Sequence, residues 1–187
     1  MREIRKYFFL MFVVFVFSSF LGYVFASENK EIAQEMIKKI ISEFSIIKEL
    51  SPMLLFAFIF INNSLKSLFT AILGLAFGFV PFCFVVSNGF IVGLALALKA
   101  KETGLINALL YIIPHGLLEI PAILLASSYG LWLGVVVIRK IRKKKVNLKE
   151  SVKYVLINFV KIIFPILLIA AFIEVYLTPT IASFLNS

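Results

Sequence analysis

Six polar side chains stand where chemistry could be done: Asn62, Asn63, Lys66, Asn88, His115 and Glu119. All lie in or beside long apolar stretches, where an unpaired amide, imidazole or carboxylate is costly enough to turn toward protein or a water-filled cavity. His115 and Glu119 are four residues apart, so on one helix they share a face and can bond to each other or ligate a metal together. Two ligands do not complete a zinc centre. With one His and no Asp in the chain, such a centre would have to draw on Asn, backbone oxygen, another Glu or a second subunit. Three readings of the set stand side by side: structural hydrogen bonding with no cofactor, polarity for transport or binding, and a metal or catalytic centre on His115 and Glu119.

The absences exclude other chemistry. All ten acids are Glu, so an aspartate dyad, an EF-hand loop and a Ser-His-Asp triad cannot be written. Cys83 is the one cysteine and cannot form an intramolecular disulfide.

The elements that must position these groups are dictated by the solvent. Of 187 residues 61% are hydrophobic and 16% charged, with 21 Phe, far more apolar surface than a core of this length could hide from water. The partner of that surface is the lipid bilayer, and the whole chain, 1–187, reads as a single membrane domain.

Uncharged residues 7–26 have the length needed to cross a hydrocarbon core of about 30 Å. Arg2, Arg5 and Lys6 precede them, and Ala26 ends them; residues 1–26 thus fit a retained signal anchor or a cleavable signal peptide. In the segment 27–50, Ile32, Met36, Ile37, Ile40, Ile41, Phe44 and Ile47 recur at helical spacing, which predicts an amphipathic helix outside the membrane. Residues 52–99 exceed one crossing. They divide into spans near 52–79 and 82–98, with Pro81 at the turn and a helix break at Asn62-Asn63. Residues 105–138 are interrupted at Pro114-His115-Gly116, giving a second break before a span near 115–138, and the last span runs near 152–172.

The expected fold is therefore an all-α polytopic bundle of about five spans with broken helices and one external amphipathic helix. The charge of +9 finds its explanation in topology. Arg139, Lys140, Arg142, Lys143, Lys144, Lys145 and Lys149 follow a span directly, and the positive-inside rule puts that loop and the N-terminus in the cytoplasm, with the C-terminus outside. No aromatic residues interleave the cations, so no nucleic-acid partner is expected. Gly74/Gly78, Gly89/Gly93 and Gly130/Gly134 share the four-residue spacing that lets helix backbones approach closely. That spacing serves either packing within the bundle or a homodimer seam.

Phe60-Ile61-Asn62-Asn63, the Gly74/Gly78 helix, Asn88-Gly89 with Gly93, and Pro114-His115-Gly116-Leu117-Leu118-Glu119, taken in that order and spacing, resemble the stage II sporulation protein M family. The resemblance covers roughly residues 45–178, and it places the family-like helical core at 52–178. It implies a small polytopic membrane protein with no established enzyme activity, whose members in sporulating bacteria look like anchors for cell-wall-degrading partners. It matches Asn62, Asn63, Asn88, His115 and Glu119 to the family motif without supplying their role.

Three functions follow. The leading one is a non-enzymatic membrane scaffold whose segment 27–50, through Ile37 and Phe44, presents a surface to a membrane or extracytoplasmic partner. The second is transport or lipid handling through the polar cluster, which requires a water-accessible cavity. The third is a metal-dependent membrane enzyme. If His115 shares a buried hydrogen bond, His115→Ala should cost roughly 1 to 3 kcal/mol, more than a lipid-facing substitution. Thermal unfolding in detergent checks this, and equal tolerance of the mutant counts against a buried bond.

Overall fold

In the computed structural model, residues 2–43 and 50–178 are described, apart from the side chains of residues 2, 43 and 111–115. The helices are α1 Arg2–Glu28, α2 Lys30–Glu43, α3 Pro52–Leu73, α4 Phe79–Thr103 and α5 Leu105–Ile141. A last helical rod, Leu148–Leu177, is built from α6 Leu148–Asn158 and α7 Phe164–Phe172, each followed by a turn of wider π-helix. Pro165 sits at the start of α7, where its ring would crowd the carbonyl four residues back. Widening of the preceding turn, Phe159–Ile163, relieves that clash.

Five of these elements are long and apolar enough to cross a membrane: Glu3–Glu28, Pro52–Leu73, Phe79–Thr103, Gly116–Ile141 and Leu148–Leu177. The expected all-α polytopic bundle is what forms. In the Gly116–Ile141 span, 61% of the most apolar window is buried, against 22–28% in the others, so α5 is the central helix and the rest wrap it. Phe9, Phe12, Phe17 and Phe20 of α1 and Val160 and Ile169 of the last rod point outward, as lipid solvation requires.

Two helix pairs run parallel and touch through glycine. On α4, a β-carbon at Gly89 would sit 2.6 Å from the Phe15 carbonyl oxygen, and one at Gly93 would run into the Ser19 carbonyl. Gly22 of α1 has the same relation to the Phe90 carbonyl. Gly74 of α3 abuts Gly130 of α5, and Gly134 abuts Phe77 and Gly78. Every one of the six glycines singled out by spacing thus lies against backbone or side chain of a neighbouring helix within this one chain.

Polar ties fix both ends. Glu3 accepts a hydrogen bond from Trp132 Nε1 at 3.1 Å and pairs with Arg139 at 3.6 Å, which puts the start of α1 beside the end of α5. Lys101 Nζ donates to the Ser27 carbonyl at 3.0 Å, which holds the far ends of α1 and α4 together. The start of α1 and the basic loop after α5 therefore share one side of the bundle.

The breaks lie elsewhere than the sequence suggests. Helix α3 passes through Asn62-Asn63 without interruption, because two asparagines cost only a fraction of a kcal/mol each, roughly 0.5, in helix propensity. Helix α5 is likewise continuous in backbone through Pro114-His115-Gly116. The α3–α4 turn falls at 74–78, where Phe77 (φ 56°) and Gly78 (φ 78°) adopt left-handed conformations. Pro81, expected at that turn, is instead in the first turn of α4, where its missing N–H has no intrahelical partner to lose. Chain reversal between α4 and α5 rests on Gly104 alone, at φ 83° and ψ 156°, a region that only glycine occupies readily.

Gly93→Leu should therefore unfold or loosen the monomer, costing about 1 to 3 kcal/mol or more through overpacking against the Ser19 carbonyl. A detergent melt and size-exclusion profile would read this. Full stability with only a changed oligomeric state would place that glycine at a seam between subunits instead.

Candidate functional site

Helix α3 presents Asn62, Asn63, Lys66 and Ser67 over little more than one turn, and α4 presents Asn88 opposite them. Together with Glu119 of α5 and Glu174 near the end of the last rod, these seven polar residues line one cavity of about 580 Å³. The remaining walls are apolar, among them Leu55, Phe58 and Ile59 of α3, Phe84 and Ile91 of α4, and Ile123 of α5. Ile40 of α2 closes part of the rim.

The position of the cavity follows from the elements that build it. Leu55 is one turn into α3, Glu174 is in the last turn of the final rod, and α2 follows the C-terminal end of α1. All three belong to the side opposite the basic loop. Asn62 and Asn63 lie some ten residues into α3, about 15 Å at 1.5 Å per residue, so the polar wall reaches roughly half the depth of a bilayer core. Beyond it the Gly74/Gly130 and Gly78/Gly134 contacts bring α3 and α5 into backbone contact. The cavity ends where the glycines begin.

Local bonds orient the polar groups. Asn62 Nδ2 donates to Asn63 Oδ1 at 3.3 Å, while Asn88 Nδ2 donates to the Phe84 carbonyl one turn back at 2.7 Å. That second bond ties one N–H of the Asn88 amide to its own helix, while the amide still carries a second N–H donor and the Oδ1 acceptor. Glu119 is 9% exposed and Ser67 fully buried. Ser67 Oγ, like Ser64 Oγ and Ser127 Oγ, has no hydrogen-bond partner among the described residues, although a serine on a helix usually bonds the carbonyl a turn back. Ser128 does so, to Leu124.

Five of the six polar residues singled out by the sequence thus come together: Asn62, Asn63, Lys66, Asn88 and Glu119. The sixth, His115, has its backbone in α5 four residues before Glu119, but its side chain lies outside the described residues, so the His115–Glu119 pair keeps the geometry of its spacing and no more. Among the described residues no three or more His, Cys, Asp or Glu side chains cluster as metal ligands. Sequence reasoning missed Glu174 and Ser67. A carboxylate four residues before Thr178 in an apolar run was signal enough for the first; nothing distinguished the second.

The proposed partner surface is placed only in part. Ile37 of α2 is partly buried against the cluster of Ala26, Ala33, Leu94 and Ala97, and Phe44 lies outside the described residues. Ile32, Met36 and Ile41 are the α2 hydrophobics left exposed.

A family model described as stage II sporulation protein M matches residues 11–179. An uncharacterized protein of Methanocaldococcus jannaschii is 36% identical over 132 residues, 67% of this chain and 72% of that protein. No solved structure matches.

An unsatisfied buried hydroxyl carries a penalty of roughly 1 to 3 kcal/mol, so Ser67→Ala should leave the empty protein as stable as the parent or raise its melting temperature in detergent. A clear fall in that temperature would mean that the hydroxyl is bonded.

Proposed function

Since this chain belongs to the stage II sporulation protein M family, we infer a multi-pass membrane protein that holds a small polar or amphiphilic molecule at membrane depth, in the manner of a transporter or lipid-handling protein. The observation that carries this reading is the cavity of about 580 Å³ that gathers Asn62, Asn63, Lys66, Ser67, Asn88, Glu119 and Glu174. Binding pockets for small molecules run from roughly 300 to 1,000 Å³, largely apolar with a few convergent polar groups.

Orientation follows from charge. The N-terminus, with Arg5 and Lys6, and the loop from Arg142 to Lys145 share one side, and the positive-inside rule makes that side cytoplasmic. The cavity then opens outward and the C-terminus is outside. Helix α1 stays attached as the first span, since cleavage after Ala26 would strip α4 of the surface against which Gly89 and Gly93 pack.

The scaffold reading retains one specific support. Ile32 is 53% exposed and Met36, one turn on, stands out on the same face of the helix that follows the first span, while the exposed Ile41 lies on its other side. Ile32 and Met36 are the surface that a non-enzymatic anchor would offer to an extracytoplasmic partner. A second copy of the chain is the other candidate for that face.

Thiol labelling in membrane vesicles tests the cavity and its sidedness. In a Cys83→Ser background, Asn88→Cys should react with a small membrane-impermeant methanethiosulfonate added from the outer face and stay unreacted when the reagent is confined to the inner face. Ile91→Cys provides a second lining position should the first variant express poorly. Labelling from the inner face only, or from neither, overturns the outward-open cavity.

A further inference from the structure

Lys161 lies thirteen residues into the last rod, which begins at Leu148, and its side chain is exposed. One turn on, Phe164 packs edge-on against Phe60 of α3 at 4.8 Å. Phe60 is two residues from Asn62, so Lys161 stands at about half the depth of the bundle. It does not line the cavity. Around it Ile157, Val160 and Phe164 are exposed hydrophobics, the surface that lipid solvates. Among the described residues Lys161 has no hydrogen-bond or ion-pair partner. A cation facing hydrocarbon at this depth is costly, and such residues are as a rule paired.

The same turn carries an acceptor without a donor. Along the rod, the Val160 carbonyl could receive the N–H of Phe164 in α-helical geometry or that of residue 165 in π-helical geometry. Phe164 gives its N–H to the Phe159 carbonyl, and Pro165 has none to give. An ammonium and a backbone carbonyl thus lack partners on one turn, beside a valine that is 63% exposed. Acyl chains serve neither group. A headgroup phosphate would have to be reached by snorkelling back some 10 Å to the level of Tyr154, which packs on Trp132 at the basic-loop end. It would accept from the lysine and has no hydrogen for the carbonyl. A second copy does not supply the counter-charge: the carboxylates of the described spans sit at their ends, as Glu3, Glu28, Glu102 and Glu150, or on the cavity, as Glu119 and Glu174.

We propose that the turn at Val160 and Lys161 docks a transmembrane helix of a different protein, one that carries a carboxylate within its apolar span opposite Lys161. An amide or hydroxyl beside that carboxylate donates to the Val160 carbonyl. The pair holds because its separation would leave two charges in hydrocarbon. This face is separate from the cavity and from α2, so the proposal does not rest on the ligand reading.

Photo-crosslinking in native membranes tests this, with the full chain carrying benzoylphenylalanine in place of Val160. Irradiation should give an adduct with another membrane protein whose cross-linked span contains an Asp or Glu. The yield should fall at least fivefold in Lys161→Leu and persist in Lys161→Arg. Lys161→Glu should abolish the adduct and regain it when the partner's carboxylate is changed to lysine. An adduct with a second copy alone, with lipid alone or with a span that lacks an acid overturns the proposal, as does a yield that ignores Lys161→Leu. In detergent, the purified Lys161→Leu chain should melt no lower than the parent. A lower melting temperature would mean that Lys161 finds its partner within the chain, and would overturn the docking site as well.

Discussion

Contact between helix backbones at glycine is the interaction on which the rest of this molecule depends. In lipid there is no hydrophobic gain in bringing helices together, so association relies on close packing and on polar groups that find partners. Gly89 and Gly93 fit α4 against α1, and Gly74, Gly78, Gly130 and Gly134 fit α3 against α5. The two pairs are tied to each other where Glu3 of α1 meets Trp132 and Arg139 of α5, and Lys101 with the carbonyl of Ser27 fastens the far end of the α1/α4 pair.

The cavity is a consequence of where those contacts stop. On α3 the glycines follow Thr70 and Ala71, which are buried against Gly130; one turn earlier stand Ser67 and Lys66, and another turn earlier Asn63 and Asn62. Small residues let α3 and α5 meet in the half of the bundle nearer the basic loop. In the other half the larger side chains Leu55, Phe58, Ile59 and Ile123 hold the helices apart around a space. Aromatic contacts tie α3 to the last rod, with Phe60 edge-on to Phe164 at 4.8 Å and Phe56 6.4 Å from Tyr176.

What the sequence made legible, it did through cost. Asn62, Asn63, Lys66, Asn88 and Glu119 stood out because polar groups in apolar runs are expensive, and the same expense drives them to one place. The glycine spacing was legible because no other residue permits that approach. Where local cost is small, the sequence misled or stayed silent. An Asn-Asn pair reads as a break but is absorbed by twenty other helical residues, and Pro81 reads as a turn although a first helical turn accepts it without loss. The actual α3–α4 turn depends on a left-handed Phe77 beside Gly78, a conformation that nothing in the identity of phenylalanine announces. Ser67 was invisible because a serine on a helix ordinarily satisfies itself, and only the three-dimensional arrangement reveals that this one does not.

The ligand reading and the scaffold reading converge on α2. That helix has one face on the cluster formed by Ala26, Ala33, Leu94 and Ala97, an edge at the cavity rim through Ile40, and Ile32, Met36 and Ile41 exposed. Its Lys and Glu residues are too many for burial and hold it at the interface, where an amphipathic helix is stable without crossing. The ligand reading uses Ile40, which lines the cavity, and the scaffold reading uses the exposed Ile32 and Met36, one or two turns away on the same helix. The two readings thus draw on different residues of one helix, and demonstrating a partner would not by itself argue against a ligand.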